Sequence, residues 1–444
     1  MAVRLNALFS PPFLSCLFSP SNPAAFATSM RPTPTTAALI RHALKTTVST
    51  TLPTASSRAV PLVSRPLQSR TTVPRVQTRT MASSCSSTFS SRSGGGLEKL
   101  PSSPIRVLRT IPSLRLWRRP HLLDHRSVAL VPTMGALHSG HLSLIRQAAK
   151  ENHHVVVSIY VNPAQFGIAE DLDSYPKTWD SDVAALVKLD RELADDGENL
   201  GRISAVFAPT TQEMYPGGFP GQEVDSKGSF VTITPVGELL EGKTRPTFFR
   251  GVATVCMKLF NIVQPEKVYF GQKDVQQTVI IKRLVQDFAM PIEVVIGKTE
   301  RDPVDGLALS SRNVYLGERR RKRATVLYDA LKAAEEVYLI KGARRREVIL
   351  GVANMVVQDV LREEEVKEPD ERVRFEVDYL SLADPDTMEE IGVVDPARGG
   401  ILSGAIKMLP VERPKNGEDL GHSRGPAVRL IDNIILEPEL VKKE

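Results

Sequence analysis

The chain has 444 residues, with 57 Lys plus Arg against 51 Asp plus Glu and a formal net charge of +6, a balance that taken whole suggests a nucleic-acid partner. Its distribution excludes a basic body: residues 1–97 hold nine Arg, one Lys and no acid, so everything from Glu98 onward carries a formal charge of −4. An apolar fraction of 41% over about 350 remaining residues supports a real core and suggests two domains, and a single body cysteine, Cys256, excludes a disulfide framework or a Cys-x-x-Cys metal site there.

The first 97 residues are rich in Ser, Thr, Pro, Ala and Arg and end in Ser91-Arg92-Ser93-Gly94-Gly95-Gly96. Such a composition buries little and is expected to be disordered. Arg-rich, Ser-rich and acid-free is also the composition of a mitochondrial transit peptide, so mitochondrial targeting is the expectation, with a plain extension on a cytoplasmic protein as the alternative. Cys16 and Cys85 fall in this leader. The apolar stretch 8–18 is broken by Pro11 and Pro12, far from the roughly 18 apolar residues of a membrane span.

Past Leu100 the pattern turns globular. Val128-Ala129-Leu130-Val131 predicts a buried strand, and Pro132-Thr133-Met134-Gly135 a turn. Leu142, Leu144, Ile145 and Ala148 then have helical spacing, and 155–161 is a second apolar run. Strand, helix and strand within about 35 residues make a βαβ unit with a parallel sheet and a right-handed crossover. The alternation continues with a helix over 181–189, a strand over 205–208, a helix over 252–263, a strand over 267–270, a helix over 275–288 and a strand over 292–296. This predicts a doubly wound, Rossmann-like α/β domain over 104–299, whose ligands sit outside the carboxyl ends of the strands. Residues 195–201 and 217–228 read as surface loops, with 191–204 as an insertion. After Thr299, helices over 318–340 and 345–365 and strands over 374–382, 400–408 and 428–436 predict a smaller α+β domain, 300–444.

Three loops carry the chemistry. Thr133-Met134-Gly135-Ala136-Leu137-His138-Ser139-Gly140-His141 lies where the first strand meets its helix. Gly135 and Gly140 let backbone approach a ligand, and the helix start offers free N–H groups to an anion. His138 and His141, three apart, face one pocket, able to hydrogen-bond phosphate oxygens or offset charge. A metal would need further ligands, and none is expected. Gly271-Gln272-Lys273-Asp274 again follows a strand and opens a helix. Lys273 suits a phosphate, Asp274 a hydroxyl or the helix start, and the repetition implies one site shared by two loops. In Gly306-Leu307-Ala308-Leu309-Ser310-Ser311-Arg312-Asn313, two hydroxyls and a guanidinium form either a triphosphate clamp or an ordinary capping segment. Asn162, Gln165, Gln276 and Gln277 add amides suited to a small polar substrate with hydroxyls and a carboxylate.

Taken in order, 132–141, 160–166, 171–176, 240–252, 270–277 and 305–313 resemble the pantothenate synthetase (pantoate–β-alanine ligase) family, and the similarity covers about 104–436. That family belongs to the HxGH nucleotidyltransferases, relatives of class I aminoacyl-tRNA synthetases. His138-Ser139-Gly140-His141 matches its first signature, and Leu309-Ser310-Ser311-Arg312 is similar to a KMSKS-like loop. The resemblance implies ATP-dependent joining of (R)-pantoate to β-alanine through pantoyl adenylate, with Mg²⁺ carried on the ATP phosphates. It implies that ATP is held by Met134, Gly135, Ala136, Leu137, His138, Ser139, Gly140, His141, Gly271, Gln272, Lys273, Asp274, Leu309, Ser310, Ser311 and Arg312. Catalysis would fall to His141 as proton donor with His138, Lys273, Ser310, Ser311 and Arg312. Gln165 and Gln277 would hold pantoate, Gln165 also touching β-alanine.

The resemblance further implies a homodimer formed through the α/β domain, with no nucleic-acid or membrane partner. Two departures stand out: Phe248 where the family commonly has histidine, and Val275 where an aromatic is common. The competing readings are another HxGH adenylyl- or cytidylyltransferase, a small aminoacyl-tRNA synthetase, which would want a basic face, and a catalytically silent nucleotide-binding scaffold, against which the completeness of the motif set argues.

Overall fold

The computed structural model describes residues 98–439, except 168–171, 173–174, 220 and 222. The leader and its expected disorder therefore lie outside the described residues, as do Asp171, Asp173 and Ser174 of the 171–176 motif.

Six strands, β1 (Arg106–Leu108), β2 (Val128–Thr133), β3 (His154–Ile159), β4 (Arg202–Phe207), β5 (Lys267–Gly271) and β6 (Glu293–Gly297), pair in parallel in the order β1-β4-β3-β2-β5-β6. The intervening helices are α1 (Ile111–Leu123), α2 (Ser139–Glu151), α3 (Trp179–Asp196), α4 (Thr211–Met214), α5 (Glu241–Thr244), α6 (Phe248–Val263) and α7 (Val275–Asp287). Val128 to Val131 on β2 and Val155 to Val157 on β3 are all fully buried, as unbroken apolar runs must be in a parallel sheet covered on both faces. Strand order reverses between β2 and β5, and the crevice at such a switch point is where a ligand meets the strand ends.

The chain continues through α8 (Gly317–Arg321), α9 (Val326–Lys341) and α10 (Arg346–Glu365) into an antiparallel sheet, β7 (Phe375–Ala383), β8 (Gly400–Met408) and β9 (Val428–Leu436), in the order β7-β8-β9. Leu331 and Ala334 of α9, Ile349 and Ala353 of α10, and Leu402 and Ile406 of β8 share its core. β8 and β9 have the bounds expected from their apolar runs. Among the described residues, no helix is long and apolar enough to cross a membrane.

The structure corrects three expectations. The helix expected over 318–340 is broken into α8 and α9, because the Arg320 guanidinium turns inward, buried, onto the carbonyls of Tyr315, Leu316, Leu409, Leu420 and Pro426. The helix expected over 181–189 is longer: α3 spans Trp179–Asp196 and stops at Gly197 in the left-handed region, while Arg202 already belongs to β4 and pairs back to Asp190. Finally, β1 and α1 had no counterpart in the sequence reading. A three-residue strand has little periodicity, and α1 contains two prolines, yet the buried Arg118 of α1 binds the carbonyls of Val263 and Gln264 and the carboxylate of Glu266, which in turn accepts Val128 N–H at the start of β2.

Candidate active site

The loop leaving β2 is built around a carboxylate. Asp182, on α3 and buried, accepts the N–H groups of Ala136 at 3.0 Å and Leu137 at 2.8 Å, and the Thr178 hydroxyl at 3.0 Å. Gly135 and Ala136 both have positive φ, +83° and +50°. At Gly135 a Cβ would lie 3.0 Å from Asp182 Oδ2, so glycine serves both the conformation and the close approach. These two N–H groups are thus taken by the protein's own carboxylate.

The loop delivers His138 as the N-cap residue of α2, with His141 one turn on and ring centroids 4.0 Å apart. His138 N–H donates to His141 Nδ1 at 3.4 Å, which leaves the His141 proton on Nε2. Desolvation first, then neighbouring His138 and Lys273, push the His141 pKa down to about 3; desolvation and Lys273 push His138 down to about 4. Both shifts favour the neutral imidazoles, which suits the hydrogen-bonding one of their two expected roles. His138 Nδ1 is buried with no hydrogen-bond partner among the described residues, and its ring fills the space a side chain at Gly140 would need.

β5 brings in the second loop. Lys273 lies in the 3-10 turn Gln272–Asp274 ahead of α7, its Nζ 3.9 Å from Asp274 Oδ1. Asp274 is the N-cap residue of α7 but makes no side-chain cap bond. In the third loop, Ser310 Oγ accepts Arg312 N–H at 3.2 Å and opens the 3-10 turn Ser311–Tyr315, while Asn313 Nδ2 donates to Ala308 O. The capping role is thus real for Ser310 and coexists with a place in the site. Ser311 is hydrogen-bonded to the Tyr175 side chain.

The three loops converge on a cleft of about 240 Å³ lined by Met134, His138, Gly140, His141, Gly271, Lys273, Asp274, Leu309, Ser310, Ser311 and Arg312, together with Gln165 and Gln277. A wider cleft of about 1040 Å³ shares Phe248, Lys273, Gln277 and Arg312 with it and extends to Tyr379 and Arg429 of the C-terminal sheet. Gly135, Ala136, Leu137, Ser139 and Gln272 line neither cleft. Gln272 instead donates to Asn433 Oδ1 on β9.

The amides divide by role. Gln276 is buried and satisfied, accepting Glu241 N–H and donating to the carbonyls of Val236 and Leu239. Asn162 is likewise engaged, with Gln165, Gly251 O and the Tyr215 hydroxyl. Gly251 of α6 packs so closely on the 3-10 turn Pro163–Gln165 that a Cβ there would stand 2.2 Å from Ala164 O, which fixes the turn carrying Gln165. Phe248 lies under the Arg245 guanidinium, 3.7 Å from its ring centroid, and both side the cleft. Asp182 and Asn433 escaped the sequence reading because the loops they hold, at Ala136 and Leu137 and at Gln272 and Lys273, lie about 45 and 160 residues away, beyond any local spacing.

The histidine environment sets a pH dependence. A buried imidazole whose folded pKa is depressed below its unfolded value, near 6.5, is neutral in both states above that value. As pH falls below it, the unfolded chain takes up a proton that the folded site refuses, so stability is lost from about pH 6.5 downward. The urea midpoint is expected to drop between pH 7.5 and 4.5, and His141→Gln is expected to make the drop shallower; identical pH slopes for the two proteins would contradict the neutral assignment.

The family model for pantoate–β-alanine ligase matches residues 106–435. A pantothenate synthetase of Roseiflexus castenholzii is 42% identical over 330 residues, 74% of this chain and all of that protein. The pantoate–β-alanine ligase of Saccharomyces cerevisiae is 39% identical over 342 residues, 75% of this chain and again all of that protein. Among solved structures, pantothenate synthetase from Thermus thermophilus matches with a TM-score of 0.58 at 37% identity, covering 74% of this chain and 99% of that one. A pantoate–β-alanine ligase from Francisella tularensis, complexed with β,γ ATP and β-alanine, matches with a TM-score of 0.51 at 27% identity, covering 74% and 97%. With its six-stranded parallel sheet, its small antiparallel sheet and the histidine, lysine and serine–arginine loops meeting at the switch point, the chain belongs to the pantoate–β-alanine ligase family.

Proposed function

We infer that the protein joins (R)-pantoate to β-alanine with ATP, forming pantothenate and releasing AMP and pyrophosphate through pantoyl adenylate. The observation that carries the reading is the meeting of both histidines, Lys273, the 309–312 loop, Gln165 and Gln277 in one cleft at the β2–β5 switch point. A pantoate carboxylate oxygen attacks the α-phosphorus of ATP, and the bond to pyrophosphate breaks. The uncharged amine of β-alanine then attacks the acyl carbon, the bond to AMP oxygen breaks, and the amide forms as the amine gives up its proton. No covalent enzyme intermediate is needed, so the protein contributes orientation and fixed charge.

In this reading, His141 donates its Nε2–H to an oxygen on the α-phosphorus as negative charge grows there, and His138 supplies a second uncharged contact. Lys273 and Arg312 carry the positive charge opposite the phosphates, with Ser310 and Ser311 beside them. Gln165 and Gln277 hold pantoate, and Arg245 stands near enough in the cleft wall to face its carboxylate. The depressed histidine pKa values support donors that are neutral throughout the physiological range.

Among the described residues, no group of three His, Cys, Asp or Glu side chains is placed to hold a metal ion. The carboxylates that line the cleft, Asp274 and Glu300, are too few for an all-protein cage and suit Mg²⁺ that arrives on the triphosphate, where it would neutralise the charge of the leaving pyrophosphate. The division into a nucleotide- and pantoate-binding domain, 104–299, and a lid domain, 300–444, is supported by the core that α9, α10 and the antiparallel sheet share, although Ala383, Met388 and Ile401 pack into the core of the parallel sheet. Dimerisation through the α/β domain rests on family resemblance alone. The acid-free, Arg-rich leader supports import into mitochondria; a reporter fused to residues 1–97 is expected to colocalise with them, and a diffuse cytosolic signal would overturn this.

AMP release is expected to require pantoate and β-alanine together and to be absent with a panel of amino acids plus tRNA; the opposite pattern would favour a different HxGH transferase. Lys273→Ala and His141→Ala are each expected to lower pantoate-dependent ATP–pyrophosphate exchange by about 10²-fold or more. Wild-type exchange in both would remove the site assignment.

A further inference from the structure

Two adjacent residues of β9 grip two different loops of the ATP site. Asp432 and Asn433 stand opposite Gly404 and Ser403 in the β8–β9 ladder, and both are buried. Neighbours in a strand project to opposite faces, and each side chain meets its own partner. Asp432 takes the Arg301 guanidinium in a bidentate pair, Nη1 to Oδ2 at 2.7 Å and Nη2 to Oδ1 at 2.9 Å. Arg301 also donates to Gly306 O at 3.3 Å and lies 3.6 Å over the Tyr328 ring. It sits at the root of the clamp loop, where Arg301 bridges to Ala308 and Leu309 N–H donates to Glu300 O, so its position sets where Ser310 and Arg312 emerge.

Asn433 reaches the other loop. Its Nδ2 donates to the carbonyls of Gln272 and Lys273, both at 2.9 Å, and its Oδ1 accepts Gln272 Nε2 at 3.2 Å. The backbone that carries Lys273, at the end of β5 in the parallel sheet, is thus held by the C-terminal sheet. Asp432 and Asn433 stay out of the inner cleft that holds the histidines and line the wider one, beside Lys273 and Arg312.

We propose that Asp432 and Asn433 are a pair of positioning residues that fix the separation of Lys273 from the 310–312 clamp across the triphosphate. Consecutive Cα atoms are held about 3.8 Å apart by the peptide unit, so the pair is a stiff spacer between two loops that approach one ligand from different sheets. The role rests on the ligation reading above and makes a sharper demand on one half of it. Adenylation needs Lys273 and Arg312 aligned on the phosphates that depart. Amide formation occurs after pyrophosphate has left, with the acyl adenylate held by the histidine loop and the glutamines.

The test measures the half-reactions separately on the full chain: pantoate-dependent ATP–pyrophosphate exchange, and AMP release from supplied pantoyl adenylate plus β-alanine. Asn433→Ala and Asp432→Asn are each expected to lower kcat for exchange about 10²-fold, the cost of a misplacement near 1 Å, with KM for pantoate and the amide-forming rate within about threefold of wild type. Arg301→Lys keeps the charge and loses the bidentate fork, so it should reproduce the Asp432→Asn pattern and serves in its place if that variant does not fold. Exchange at the wild-type rate, or an equal loss in both half-reactions, overturns the positioning role. A wild-type chain inert in both half-reactions overturns the ligation reading, and the role with it.

Discussion

The pairing of β2 with β5 is the constraint on which the site depends. These strands are adjacent in space although the chain between them makes β3 and β4, and their register, Ala129 on Lys267 and Leu130 on Val268, places the ends of both at the same crevice. The loop after β2 ends in His138 and His141, and the loop after β5 carries Lys273. Because the buried runs of both strands are apolar and their helices cover both faces, a slip in register would cost the core as well as the site. The energy that holds the catalytic groups in place is therefore largely the burial energy of the sheet.

Around that crevice, polar groups divide into those satisfied by the protein and those left for a ligand. Asp182 satisfies the backbone of the His138 loop, Glu241 meets the Tyr379 hydroxyl and Arg429, and Gln276 is closed in on itself by three backbone partners. Lys273, Arg312 and the two uncharged imidazoles face the cleft. Burial and Lys273 favour neutral histidines, which avoids adding two like charges beside Lys273. The net charge of +6 divides into a leader with ten basic residues and a body of formal charge −4, of whose cationic groups Lys273 and Arg312 line the inner cleft.

Much of this was legible in the residues, for a physical reason. The parallel sheet announces itself through long apolar runs such as 128–131 and 155–157, and the ligand loops through glycine and histidine at strand ends, where regular structure has no need of them. What escaped was whatever depends on distant partners or on a competing tertiary pull. Arg320 breaks a helix that periodicity would carry through because carbonyls of the distant Leu409, Leu420 and Pro426, with those of Tyr315 and Leu316, surround its guanidinium. Asn162 and Gln276 looked like ligand amides by position, and only their partners show them to be structural. Phe248, the departure from the family pattern, sits beneath Arg245 and gives that guanidinium an aromatic face in place of a polar neighbour.

The central claim is that the carboxylate of pantoate attacks the α-phosphorus and is activated as an adenylate within this cleft. An oxygen-18 label follows the claim directly, since the oxygen that bridges acyl carbon and phosphorus stays with the nucleotide when the amine attacks. Turnover of pantoate labelled in both carboxylate oxygens, with ATP and β-alanine, should give AMP carrying one oxygen-18 and unlabelled pyrophosphate. Unlabelled AMP, with the label in inorganic phosphate or retained wholly in pantothenate, would contradict it.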